Sequence, residues 1–264
     1  MAAHISGKLH YEQHGKHGPV MLFIHGNPYD HRLWMYQTAH FSSWFRTIAV
    51  DVPPYGRSPS PTPGLTLTDL AAACWEVIDE ITRDPVILVG NSVGATTVIY
   101  MTGLRPQQAR ALIVTGCAYW PNRDFARQGG AQWDKLGIEA RRATFDAFVS
   151  SALRADPHAQ YLQRMFLETN DRMDVPGIRE IFRALEEPEP EAVYDRIDQP
   201  CLIITGTEDP AHQGGLDMQR RIKGAELAII EGAGHVCNLD NPVEWDRHAV
   251  DFLRRHRLFD ASSK

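Results

Sequence analysis

The sequence predicts an α/β fold built on a mainly parallel central sheet flanked by helices, with a helical segment inserted between two core strands. Two observations predict it. Short runs of β-branched and aliphatic residues alternate with helical patterns along most of the chain, as strands joined by crossover helices do. The alternation then stops over residues 119–198, a stretch too long for a plain connection in a compact domain.

The predicted strands are residues 19–26 (PVMLFIHG), 46–53 (RTIAVDVP), 85–91 (PVILVGN), 110–116 (RALIVTG), 200–206 (PCLIITG) and 226–231 (ELAIIE). Each is mostly apolar rather than alternating, as expected of strands covered on both faces. Residues 4–15 alternate weakly through Ile5, Leu9 and Tyr11 and predict an antiparallel edge strand or hairpin. A helix is predicted over 66–82, with Thr66 and Thr68 as candidate caps and Leu70, Ala73, Val77 and Ile78 on one face. Others are predicted over 93–104 and over 242–257, where Asn241-Pro242 provides a cap followed by proline in the first turn. Residues 119–198 are rich in Arg, Glu, Ala and aromatics at helical spacing, punctuated by Pro121, Pro157, Pro176, Pro188 and Pro190. They predict about four short helices. Residues 1–118 and 199–264 then form the core, and 119–198 a cap over the carboxyl ends of the strands.

The 264 residues suit one such domain, and 43% hydrophobic with 23% charged residues is ordinary for a globular chain. The net charge of −6 and the lack of a basic face argue against a nucleic-acid partner. The Arg254-Arg255-His256-Arg257 cluster is explained by the end of the last helix, where cations are favourable. Cys74, Cys117, Cys201 and Cys237 form no C-x-x-C pair and match no zinc spacing, so they read as buried free thiols of a reducing compartment. No apolar h-region opens the chain and no apolar run approaches ~20 residues. The expectation is a cytoplasmic protein without a membrane partner, metal or cofactor.

Gly90-Asn91-Ser92-Val93-Gly94 is a G-x-S-x-G motif set between the strand-like Val86–Val89 and a helix-like run. That context is what a nucleophile elbow requires: a tight strand-to-helix turn that lifts the Ser92 hydroxyl above the sheet, with the helix N-terminus beneath a developing oxyanion. A serine hydroxyl needs a base. His235, in Gly232-Ala233-Gly234-His235 after the last strand, is the candidate. His10, His14 and His17 read as solvated, and His31, His40, His158, His212, His248 and His256 have no supporting context. The orienting carboxylate should lie between Ser92 and His235, at another strand end. Asp209 in Gly206-Thr207-Glu208-Asp209-Pro210 fits, with Glu208 as the alternative. His25-Gly26-Asn27-Pro28 ends the first long strand, so the N–H groups of Asn27 and Val93 are the candidate oxyanion donors, with His25 a structural turn residue.

Together these four segments resemble the α/β-hydrolase superfamily, and Asp51-Val52-Pro53-Pro54-Tyr55-Gly56-Arg57-Ser58 is similar to its D-x-P-G-x-G-x-S loop, with Pro54 in place of the usual glycine. The resemblance covers the chain outside 119–198. Size and the His235-Val236-Cys237-Asn238 ending look most like small lidded esterases and lactonases of the 3-oxoadipate enol-lactonase type. The resemblance implies ester or lactone hydrolysis of a small molecule through a Ser-His-Asp triad and an acyl-enzyme, with no cofactor. Carbon–carbon bond hydrolases of ring-fission diketones would use the same residues, but usually carry Trp where Val236 stands. A cofactor-free oxygenase and a ligand-binding receptor are further alternatives. Dehalogenases and epoxide hydrolases are rejected, because they use an aspartate where Ser92 stands. Tyr119, Trp120, Trp133 and Phe145 of the cap are candidate substrate-binding residues, and one cap arginine is a candidate partner for a substrate carboxylate. Neither the substrate nor the oligomeric state is written in these motifs.

Overall fold

The computed structural model describes residues 4–117, 124–169, 174–186 and 191–259. Seven strands lead the architecture: β1 (Tyr11–His14), β2 (Val20–Ile24), β3 (Arg46–Val50), β4 (Val86–Asn91), β5 (Ala109–Thr115), β6 (Cys201–Gly206) and β7 (Glu226–Ile230). They form one sheet in the order β1-β3-β2-β4-β5-β6-β7. β1 runs antiparallel to β3, and every other pairing is parallel. β2, β4 and β6 are buried along their whole length, as their unbroken apolar runs require. β7 differs from that expectation, because an edge strand has a free side: Ile229 is 46% exposed.

Helices cover both faces. In chain order they begin with α1 (Met35–Phe41), which continues from a 3₁₀ turn over His31–Trp34, then α2 (Leu67–Ile81) and α3 (Val93–Leu104). Thr66 caps α2 in a reciprocal box: its hydroxyl accepts the Asp69 N–H at 3.1 Å, and the Asp69 carboxylate accepts the Thr66 N–H at 3.0 Å. Between β5 and β6 lie five described helices rather than about four: α4 (Asp124–Leu136), α5 (Ala140–Phe148), α6 (Ser151–Ala155), α7 (Pro157–Thr169) and α8 (Val175–Leu185). The chain ends with α9 (His212–Arg221), α10 (Cys237–Asp240) and α11 (Pro242–Arg255), the last capped by the Asn241 side chain. The local sequence pattern does not mark α1, α9 or α10. α9 carries Gly214 and Gly215 in its first turn, which weakens any local helix signal.

The sheet separates two apolar cores. One packs α2 and α3 against the sheet, and the Trp75 indole N–H donates across to the Met101 carbonyl at 3.0 Å. The other gathers Trp34, Phe41, Trp245 and Phe252 with the opposite faces of the same strands. All four cysteines are buried and free. No described helix is long and apolar enough to cross a membrane.

A polar latch ties the end of β3 to the turn after β2. The buried Asp51 carboxylate accepts the His31 N–H at 2.8 Å, the His31 ring N–H at 2.7 Å and the Arg57 N–H at 2.9 Å. Gly56, at φ +57°, lies so close to this carboxylate that a side chain there would strike it. His10 is partly buried rather than solvated, with its ring edge against His31 at 5.7 Å. Ligand-type atoms of His10, His31 and Asp51 lie within 4.8 Å of one another. Both Asp51 oxygens are already engaged by N–H donors, so the trio reads as a latch. Burial alone would raise the Asp51 carboxyl, but the His31 hydrogen bond, the neighbouring His25 and His31 and the Arg57 N–H outweigh it and hold it at about 2.

A carboxyl held lower in the folded than in the unfolded chain contributes stability above its unfolded value, and that contribution fades as pH falls toward the folded value. Asp51→Asn, which cannot accept all three donors, should cost about 2 kcal/mol at pH 7, and about half of that gap should close by pH 3. Denaturant unfolding of both proteins between pH 7 and pH 3 checks this; a gap independent of pH would rule out the carboxylate as its source.

Candidate active site

Ser92 joins β4 to α3 with φ +54° and ψ −119°. Such a backbone is costly for a residue with a Cβ, by about 1–3 kcal/mol, and persists only where the surroundings over-determine it. The Ser92 N–H donates to the Thr115 carbonyl at 3.0 Å, and its carbonyl accepts the Thr96 N–H at 3.1 Å. The flanking glycines permit the approach this needs. A Cβ on Gly90 would strike the backbone of Gly94 and Ala95, and one on Gly94 would strike the Ile24 carbonyl of β2. A Cβ on Gly26 would sit 2.7 Å from the Ser92 Cβ. The turn after β2 is therefore pressed against the serine, and Asn27 lines the same cavity. His25 is a turn residue: its Nε2 accepts the Val52 N–H at 2.8 Å, and its Nδ1 lies 2.9 Å from the Gly26 carbonyl. Burial lowers its pKa and favours the neutral ring.

Asp209 follows β6 and His235 follows β7, and the structure brings them together. His235 Nδ1 lies 2.8 Å from Asp209 Oδ1, with both side chains 1% exposed. A carboxylate only accepts, so Nδ1 carries the proton and Nε2 is the basic nitrogen of the neutral ring. The Ala211 N–H also donates to Asp209 Oδ1, at 2.7 Å. Glu208, the alternative carboxylate, is turned away: it accepts the Ser151 N–H and hydroxyl, each at 2.7 Å.

Several residues without a sequence signal hold this arrangement. The Asn91 amide donates to the His235 carbonyl at 3.0 Å, so the residue before the serine grips the histidine loop. The Phe148 carbonyl accepts the His235 N–H at 2.8 Å, and the Phe148 ring lies 4.2 Å from the imidazole. Asp240 accepts N–H bonds from Ser150 at 3.1 Å and Gly234 at 2.6 Å. Burial raises the Asp240 carboxyl to about 6 against the pull of those donors. Residues 148–151 thus tie the inserted helices to the loops that carry Asp209 and His235.

A cavity of about 220 Å³ opens above Ser92. Ser92, Asn27 and Pro210 line it from the core, and Trp133, Phe148 and Phe182 from the inserted helices. Trp133, a candidate substrate-binding residue, lines the cavity. Phe145 does not: its ring packs against Tyr29 and Phe166, at 6.3 and 6.4 Å between centroids, because its neighbours Thr144, Ala147 and Phe148 turn the other side of α5 to the cavity. Tyr119 and Trp120 lie outside the described residues.

The sequence profile of the alpha/beta hydrolase family matches residues 21–246. The chain is 25% identical over 252 residues to 3-oxoadipate enol-lactonase 1 of Acinetobacter baylyi, covering 90% of each. It is 27% identical over 221 residues to a pimeloyl-[acyl-carrier protein] methyl ester esterase of Neisseria meningitidis serogroup B, covering 80% of this chain and 81% of that one. The crystal structure of the enol-lactonase from Burkholderia xenovorans LB400 superposes with a TM-score of 0.84 at 19% identity, covering 93% of this chain and 96% of that one.

Asn91→Ala should lower the melting temperature by about 2–6 °C, since it removes the donor to the buried His235 carbonyl at a cost of about 1–2 kcal/mol. A thermal melt indistinguishable from that of the unaltered protein would show that the bond contributes nothing.

Proposed function

The chain belongs to the alpha/beta hydrolase family, and on that premise we propose that it is a serine hydrolase of small carboxylic esters or lactones. The observation that carries this reading is the buried Asp209–His235 pair, on a loop gripped by Asn91, the residue before a strained Ser92 that lines a cavity. Ser92 Oγ attacks the carbonyl carbon while His235 Nε2 takes the hydroxyl proton. Asp209 holds the tautomer and stabilises the imidazolium without taking the proton itself. The Asn27 and Val93 N–H groups receive the oxyanion, with the positive end of α3 behind it. The tetrahedral intermediate collapses, His235 protonates the leaving alcohol, and Ser92 is left acylated. Water then gives a proton to His235, attacks the acyl carbon and releases the acid, and the proton returns to Ser92.

These residues supply nucleophile, base and oxyanion donors, so the reaction needs no cofactor. The helices between β5 and β6 act as the cap that excludes bulk water and shapes the substrate site. Four buried free thiols support a cytoplasmic setting.

Ser92→Ala should reduce turnover of a short-chain p-nitrophenyl ester by at least about a thousandfold with the fold intact. Steady-state assay beside a thermal melt tests this. A folded variant that keeps most of its activity would refute the assignment.

A further inference from the structure

The walls of the cavity above Ser92 carry a selectivity that the reaction type does not. All 12 described residues that line it are uncharged. Most are apolar or aromatic, among them Trp133, Phe148, Phe182 and Leu185. Two primary amides stand out. Gln128 and Gln132 lie one turn apart on α4 and so share a helix face, and both reach the cavity. Neither makes a hydrogen bond to another described residue, and each carries an N–H donor and a carbonyl acceptor of the kind that a bound amide or ketone needs.

None of the described cations of the inserted helices lines the cavity, and most of the arginines there have a partner of their own. Arg127 lies 3.6 Å from Asp124, Arg179 2.8 Å from Asp134, and Arg183 3.0 Å from Glu180. Arg141 donates to the Leu167 carbonyl at 2.8 Å, and Arg142 and Arg164 are exposed away from the cavity lining. Behind His235 stand two buried or partly buried carboxyl groups, Asp209 and Asp240. A substrate carboxylate entering this site would lose its hydration to apolar walls, meet no cation among the described lining residues, and face negative charge beyond the imidazole.

Resting on the ester-hydrolase reading of Ser92, we propose that the cavity selects an uncharged ester or lactone whose non-reacting part bears an amide or ketone group, held by Gln128 and Gln132. A neutral amide loses little on leaving water if its hydrogen bonds are replaced, and the glutamine amides supply both partners. This sets the chain apart from a hydrolase that reads a substrate carboxylate with an arginine.

Three methyl esters of near-equal size test the proposal: methyl 5-amino-5-oxopentanoate, monomethyl glutarate and methyl hexanoate. They differ at the far end only, as amide, carboxylate and hydrocarbon. With the whole protein at pH 7.5, kcat/KM for the amide ester should exceed that for the carboxylate ester by at least about 30-fold. In Gln128→Ala/Gln132→Ala the ratio of amide ester to methyl hexanoate should fall by about tenfold. Gln132→Arg, which puts a guanidinium on the same wall, should raise the carboxylate-to-amide ratio by about tenfold. A carboxylate ester cleaved as fast as the amide, or ratios that none of these variants moves, would overturn the selectivity while leaving the ester reading in place. Failure of the unaltered protein to cleave any of the three would overturn the ester reading, and this inference with it.

Discussion

The close approach of the β4–α3 turn to the end of β2 is the constraint on which the site depends. Ser92 holds a backbone that a side chain ordinarily avoids, and three glycines give it the space to do so. Gly90 and Gly94 let strand and helix meet, and Gly26 lets the neighbouring turn press against the serine. The strain is confined by regular structure on every side: β4 behind, α3 ahead, and the Thr115 carbonyl of β5 fixing the Ser92 N–H. A parallel sheet makes this possible, because its strands deliver their carboxyl ends, and so their loops, to one edge. β2, β4, β6 and β7 each end in a loop that contributes to the site.

Electrostatics divides the work between carboxyl groups of the same kind. Asp51 is buried, yet held at about 2 by the donors around it, and so acts as a permanent anion that fixes a turn. Asp240 receives N–H bonds from Ser150 and Gly234, but burial prevails and raises it to about 6. Asp209 faces His235 and Glu208 faces Ser151, although they are neighbours in the chain. Adjacent acids thus take different tasks: one serves the imidazole, the other fastens the inserted helices.

The fold was legible because strand runs and helix caps are local. Thr66 with Asp69 and Asn241 before Pro242 announce their helices in a few residues. Ser92, His235 and Asp209 could be nominated from the sequence because the proposed chemistry demands certain residue types at strand ends, in a set order. The choice between Asp209 and Glu208 was not legible, since it depends on which carboxylate the loop turns inward. Phe145 and Phe148 show the same limit. They lie on one short helix, both aromatic, and only its rotation against Tyr29 and Phe166 decides which ring meets the cavity. Asn91 and Asp240 left no local signal at all, because their partners, His235 and Ser150, lie 144 and 90 residues away.

That long-range fastening bears on how selectivity and chemistry are related in this molecule. Phe148 lines the cavity with its side chain, lays its ring tilted against the proposed base, and holds the base's N–H with its carbonyl. The inserted helices are therefore not a separate cover laid over a finished site. Their connection at residues 148–151 helps to set the position of His235 itself. Interactions that orient the base act on the transition state more than on the bound substrate, whereas wall contacts act on both. A ring that does both ties the two effects together. Gln128 and Gln132, by contrast, sit on α4, away from the Phe148–Ser151 fastening. Wall residues on that helix, unlike Phe148, hold no backbone bond to the loop of the base.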